Sequence, residues 1–310
     1  MPPPLLALTG GTGFLGARIS DLASVRGWQV RALVRGEGRA VPGAAELING
    51  DLQDAAALRR LVNGADYVIH NAGAVRARSA EGFMGVNRDG AAAVADAVAE
   101  AAPRDARMLL VSSLAATRPD VSPYAASKAG AEAAVRERCA DRLFSIVRPP
   151  AIYGPDDAAT KPLFDAMRLG FAPVLGDPGS RFAMVYVDDA AEACLAAVAA
   201  ADQTGRVFSF DDGGGGYDWA ALRGAAEAST GRKLRAIRIH PWLLRIAGGC
   251  GSLVGQLGLA TPFLTSGKVR EMLAGDWLVD AKDAPPDWSP ATSLHLGFSR
   301  TLAWYRGARQ

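Results

Sequence analysis

Through the first 150 residues, short apolar runs rich in Val, Ile and Leu alternate with longer stretches in which Ala and Leu recur at helical spacing. Strands buried on both faces of a parallel sheet read as unbroken apolar runs. The alternation therefore predicts an α/β fold, a doubly wound parallel sheet built from βα units. Strands are predicted at residues 5–9, 29–34, 46–49, 67–70, 107–111 and 144–148, and helices at 14–26, 53–62, 82–102 and 122–140. In such a sheet a ligand lies beyond the carboxyl ends of the strands, so the residues just after each strand carry the most information.

Past Arg148-Pro149-Pro150 the pattern loosens. Proline and glycine clusters at 154–155, 176–179 and 213–216 separate shorter elements. Residues 151–183 and 211–310 are read as a smaller, partly helical substrate lobe. A strand and helix over 184–201 and a strand at 206–210 are expected to return to the main sheet, and a last helix is expected near 301–306. Residues 246–262 are apolar and glycine-rich but fall short of the ~20 residues that a bilayer crossing needs. They predict helices lining a pocket, with no membrane span.

Composition narrows the classes. Hydrophobic residues make up 49% and charged residues 21%, which excludes disorder, collagen and a disulfide scaffold. Thirty-four Lys and Arg against 32 Asp and Glu, read as spread without a basic block, do not indicate nucleic-acid binding. Cys139, Cys194 and Cys250 lack metal-type spacing and suggest reduced core thiols in a cytoplasmic protein. Met1 to Pro4 lead straight into an apolar run with no basic n-region or cleavage site, so a first strand is expected there and not a leader. His70, His240 and His295 are scattered, and no metal site is predicted.

Thr9-Gly10-Gly11-Thr12-Gly13-Phe14-Leu15-Gly16 follows the first strand and opens the first helix. Glycines at 10, 13 and 16 permit a sharp turn, close backbone approach to a pyrophosphate and tight strand–helix packing, while the helix N-terminus faces an anion. Residues 1–150 are accordingly read as a dinucleotide-binding Rossmann domain. Arg35 ends the second strand where an NAD enzyme usually shows an acid, and a guanidinium suits a 2′-phosphate. Arg39 and Arg31 offer further cationic contacts, whereas Glu37 argues for a free ribose. NADP(H) is favoured over NAD(H). Asp51, followed by Leu52, stands where a carboxylate could accept from an adenine amino group or cap the next helix. Asn71, Ala72 and Gly73 close the fourth strand with small residues, as an approach to ribose and nicotinamide requires.

Tyr124 and Lys128 are one helical turn apart on one face of a predicted helix. A neighbouring ammonium stabilises a phenolate, so the pair is expected to lower the phenol below its usual pKa near 10 and make a reversible acid and base. Ser112-Ser113 end the fifth strand, placed to bond a substrate oxygen. With the glycine loop and Asp51, these residues resemble the short-chain dehydrogenase/reductase superfamily in its extended, epimerase-like branch, well over residues 5–210 and loosely beyond. The resemblance implies Tyr124 as catalytic acid/base, Lys128 as the ribose-binding partner of that phenol and Ser113 as the substrate-orienting serine, with Ser112 its competitor. It implies a structural role for Asn87, and a backbone contact to the nicotinamide amide from the segment holding Pro149, Ala151 and Ile152. Asp188 and Asp189 are read as caps of the following helix. Tyr124 follows Ser113 by only eleven positions (124 − 113), a short loop for this family, which leaves the pocket to be finished by the C-terminal lobe.

Three functions fit. The first is an NADP(H)-dependent dehydrogenase or reductase acting on a carbonyl or alcohol of a bulky, largely apolar small molecule, similar to dihydroflavonol reductases and 3β-hydroxysteroid dehydrogenases. Its support is the apolar stretch 241–277. The second is an NAD-dependent sugar-nucleotide epimerase or dehydratase, for which Arg181 is the candidate diphosphate ligand. The third is a non-catalytic dinucleotide-binding subunit. A homodimer is common among such relatives, and monomers also occur.

Overall fold

A computed structural model describes residues 2–36, 38–201 and 204–307. Glu37, the counter-argument to a 2′-phosphate, lies outside them. Strands β1 (Leu5–Thr9), β2 (Gln29–Val34), β3 (Glu46–Asn49), β4 (Tyr67–His70), β5 (Arg107–Val111) and β6 (Leu143–Val147) form an all-parallel sheet with β10 (Arg206–Phe208). Its order is β10-β6-β5-β4-β1-β2-β3, so the chain reverses direction across the sheet between β1 and β4. That reversal opens the crevice a dinucleotide uses.

The pleat sorts the strand residues into two cores. Leu6 and Leu8 of β1 face one side with Ile69 and Leu109, while Ala7 faces the other with Val68, Met108 and Leu110. Helices α2 (Ala55–Val62), α4 (Gly90–Ala101) and α5 (Pro123–Arg138) cover the second side, whereas α1 (Phe14–Val25) and α7 (Val187–Ala199) cover the first. Helix α2 illustrates the local logic: Asp54 accepts from the Ala57 amide at its start, and Leu58, Leu61 and Val62 turn inward.

The helix expected over 82–102 is interrupted. A short α3 (Ala80–Met84) leads into a π-helical turn, Gly85–Asp89, before α4 begins. The turn aims Asn87 inward, where its side chain finds three partners described below.

One expectation about the second half needs correction. Helix α7 packs beside α1 and β10 joins the main sheet, but β9 (Met184–Tyr186) pairs with β7 (Ala151–Tyr153) in a separate two-stranded sheet. The outer edge of β6 is already taken by β10, and Pro149-Pro150 turn the chain out of line after β6. A second small pair joins β8 (Phe171–Leu175) to β11 (Arg235–Ile239). Helices α6 (Lys161–Leu169), α8 (Trp219–Thr230), α9 (Pro241–Gln256), α10 (Ser266–Leu273) and α11 (Leu294–Gly307) complete the chain. The last begins seven residues before the predicted start (301 − 294). Among the described residues no helix is long and apolar enough to cross a membrane. Cys139 and Cys194 are buried, but Cys250 is exposed on α9 and is no core thiol.

Candidate active site

The glycine loop is built on contact. Gly10 has φ +73°, and a Cβ there would stand 2.7 Å from the Ala72 amide nitrogen. A Cβ on Gly16 would stand 2.1 Å from the Gly10 carbonyl, so neither position tolerates a side chain. Gly13 is the N-cap of α1 and supplies no side-chain acceptor. The first intrahelical bond runs from the Ala17 amide to the Gly13 carbonyl, so the amides of Phe14, Leu15 and Gly16 precede any intrahelical acceptor. Such a terminus fits a pyrophosphate.

Beyond the ends of β2 and β3 lies a hollow of about 240 Å³ lined by Arg35, Gly36, Asn49, Gly50, Asp51 and Asp54. The Gly36 amide donates to Asn49 Oδ1, and Asp51 accepts from the Gln53 amide at 2.8 Å. The helix cap is Asp54, not Asp51. Leu52 packs against Gly90. Arg35 is exposed at the hollow, but Arg31 is committed elsewhere, to Glu46 and the Asn63 carbonyl. The residues present fit the adenosine end of a dinucleotide.

Thr9 and His70 hold the floor of the crevice. Their Oγ1 and Nδ1 lie 2.8 Å apart, and Thr9 Oγ1 also accepts from the Ala72 amide, while Asn71 donates to the Gly10 carbonyl. Burial, aided by the Lys128 charge, pushes the His70 imidazole down to about 3. The unfolded chain therefore binds a proton between about pH 6.5 and 3 that the folded chain refuses. This contribution to stability is complete above pH 6.5 and is lost as pH falls toward 3. A His70→Asn variant should show a flatter fall in urea midpoint over that window than the parent, a difference of up to a few kcal/mol at its acid end.

Helix α5 starts with a cap and a proline: the Ser122 hydroxyl accepts from the Ala125 amide, and Pro123 occupies the first turn. This places Tyr124 at the mouth of the crevice and Lys128 one turn deeper. The Lys128 ammonium donates to the Val111 carbonyl at 2.9 Å, and a Cβ on Gly73 would stand 3.2 Å from its Nζ. Burial lowers Lys128 to about 8, with Glu132 acting against that shift. The expectation of an acidified phenol is overturned within the chain itself. Burial pushes Tyr124 up to about 12, the hydrogen bond with Ser113 pulls it down and the Glu271 charge raises it.

The two serines separate cleanly. Ser112 donates to Glu132 at 2.6 Å, and Glu132 also receives Arg148 Nε at 2.9 Å and Nη2 at 2.6 Å. Ser113 instead caps a short 3-10 turn, accepting from the Ala115 amide at 3.2 Å, with its hydroxyl beside the phenol. Asn87 ties the halves of the site together. It accepts from the Ala74 amide at 2.7 Å and donates to the Ala74 carbonyl and to Ser127. The Pro149 carbonyl accepts from Leu114, and Ala151 and Ile152 continue as β7 along the crevice.

Sequence reasoning missed Glu132, Glu271 and Phe83. The i, i+4 spacing of Lys128 and Glu132 was the available signal for the first. Phe83 meets Tyr124 edge-on at 6.0 Å between ring centroids, and Glu271, on α10, accepts from Ser122. Helix α10 thus seats directly on the start of α5. The capping role expected of Asp188 and Asp189 also fails. Asp188 pairs with Arg18 at 2.6 Å, and Asp189 accepts from the Ala291 and Thr292 amides. Arg181, the candidate diphosphate ligand, donates to the carbonyls of Gly215 and Gly216.

The model of the NAD dependent epimerase/dehydratase family matches residues 6–209. The chain belongs to that family, and it is an oxidoreductase-type enzyme that works with a nicotinamide dinucleotide. A ceramide reductase of Caulobacter vibrioides is 40% identical over 310 residues, 98% of this chain and 95% of that protein. A 4-hydroxy-2-methyl-3-oxo-4-farnesyl-3,4-dihydroquinoline-1-oxide ketoreductase of Stigmatella aurantiaca is 34% identical over 183 residues, 52% of this chain and 54% of that protein. Among solved structures, UDP-glucose 4-epimerase of Thermotoga maritima with UDP-glucose superposes with a TM-score of 0.76 at 19% identity, over 99% of this chain and all of that one. MoeE5 in complex with UDP-glucuronic acid and NAD gives 0.75 at 19% identity, over 98% and 99%. At such identities these two structures establish a shared fold.

Proposed function

We propose that the chain is an NADP(H)-dependent reductase acting on a carbonyl of a bulky, largely apolar lipid, with Tyr124 as proton donor. The observation that carries this reading is the end-to-end likeness to a ceramide reductase. The family model stops at residue 209, whereas that likeness runs through the lobe expected to wall the substrate pocket. A sugar diphosphate is the poorer fit because Nη2 of Arg181, its candidate ligand, is engaged with the carbonyls of Gly215 and Gly216.

A nicotinamide dinucleotide held by the Gly10–Gly16 loop and the small residues Ala72 and Gly73 would supply the hydride for the carbonyl carbon. The Tyr124 phenol, fully protonated at neutral pH given its upward shift, gives its proton to the carbonyl oxygen, which leaves an alcohol. Ser113 bonds the same oxygen and orients it. Lys128, mostly charged at neutral pH, lies against Gly73 and Val111, where its ammonium can meet a ribose hydroxyl and compensate a phenolate after proton transfer. Phe83 and α10 shield the phenol from water.

Loss of NADPH absorbance with long-chain keto-lipids in detergent, and none with UDP-glucose, is the expected result. Isomerisation of UDP-glucose without net redox, and no response to the lipids, would overturn the reading. Arg35→Asp tests the cofactor assignment separately. Losing a charge-assisted bond to the 2′-phosphate should weaken NADPH by about tenfold to a hundredfold and spare NADH. A fluorescence titration in which both affinities stay put would remove the preference.

A further inference from the structure

The outer side of α9 is apolar and uncovered. At 3.6 residues per turn Trp242, Leu243, Ile246, Cys250, Leu253 and Leu257 fall in an arc of about 100°, and all six are exposed, Ile246 by 58% and Leu257 by 63%. The inner side carries small residues. A Cβ on Gly248 would stand 3.0 Å from the Thr265 carbonyl, and one on Gly251 would stand 2.0 Å from that of Leu264. Leu244 and the glycines seat the helix inward, and the six larger apolar side chains stand outward where an ordinary surface helix shows polar ones.

Charge along this stretch of the chain is one-sided, although Lys233 and Lys268 pair with Glu227 and Glu271 at its two ends. Residues 228–270 contain no Asp or Glu and seven Lys and Arg, so the even spread read from overall composition fails here. Arg235 and Arg238 lie exposed on β11, which runs directly into α9, and Arg245 lies exposed on α9 itself. None of the three has an ion-pair partner among the described residues.

We propose that this face docks the enzyme on an anionic lipid bilayer, the stripe entering the headgroup–acyl boundary and the cations meeting lipid phosphates. A second copy is a poorer occupant, because a twofold contact would bring identical cationic rims together. The position gives docking a purpose. Gly255 of α9 approaches Arg78, and Gly267 of α10 abuts Ser122 and Pro123 beside Tyr124. Bilayer contact would set the mouth of the candidate site against the membrane. The surface stands independently of the substrate proposed above.

The purified full chain should sediment with phosphatidylcholine–phosphatidylglycerol vesicles, and far less with phosphatidylcholine alone. Ile246→Asp with Leu253→Asp, and separately Arg235→Glu with Arg238→Glu, should each weaken that binding at least about tenfold, and added salt should weaken it in the parent. Brominated lipid should quench parent fluorescence more than that of Trp242→Phe. Circular dichroism checks folding of each variant; should the aspartate pair not fold, the arginine pair and Trp242→Phe decide. Absence of vesicle binding overturns the proposal, as does binding indifferent to the folded variants. A dimer broken by the aspartate pair, with no vesicle binding, assigns the face to a second copy and equally overturns it.

Discussion

Replacing Tyr124 with Phe should reduce turnover by about a thousandfold, within the range expected for removing a general acid, while leaving the dissociation constant for the dinucleotide nearly unchanged. The substitution deletes one oxygen from a ring that keeps its edge-on contact with Phe83, so packing of the first turn of α5 survives. Ser113, whose hydroxyl only accepts from the Ala115 amide, would remain to donate a hydrogen bond that orients a carbonyl, but an aliphatic hydroxyl is too weak an acid to replace the phenol as proton donor. Single-turnover rates and a cofactor titration on the same preparation separate the two effects. A variant that retains a tenth or more of parental turnover would remove the phenol from the mechanism.

Glu132→Ala should destabilise the fold by about 3 kcal/mol, the lower part of the range for breaking a buried ion pair, since Arg148 keeps partial access to water. The carboxylate is 5% exposed and accepts from Ser112 and twice from Arg148; alanine leaves both donors unmatched. The same loss removes the charge that opposes the downward shift of Lys128, so that ammonium should titrate still lower. Urea unfolding measures the first effect. A midpoint within experimental scatter of the parent, at unchanged slope, would mean that water satisfies both donors.

The six main strands and the glycine loop were legible because parallel strands buried on both faces and backbone crowding at Gly10 and Gly16 both leave local marks in sequence. What stayed hidden depends on distant partners. No pattern near Met184 says that β10 has filled the edge of β6 and sends β9 to β7. Asp188 and Asp189 have the local form of helix caps, yet Arg18 and the segment at Ala291–Thr292 claim them. The sign of the Tyr124 shift was misjudged for a related reason. Helical spacing places Lys128 near the phenol but does not reveal that burial outweighs every nearby charge, or that Glu271 arrives from residues far along the chain.

The π-helical turn at Gly85–Asp89 has a bearing on how sequences of this kind can drift. Excising one residue there would turn α3 and α4 into a single regular rod, which looks like a harmless tidying. Four residues at α-helical pitch, about 100° each, turn through nearly the angle of five at π-helical pitch, so Phe83 would stay over Tyr124, but the bulge that carries Asn87 inward would be lost, and with it the bonds to Ala74 and Ser127. Point substitutions should be absorbed at the exposed positions of α4, such as Asp96, Ala99 and Glu100, whereas a deletion of any one residue between 85 and 89 should release the Ala74 segment beside the nucleotide crevice even in a chain that still folds.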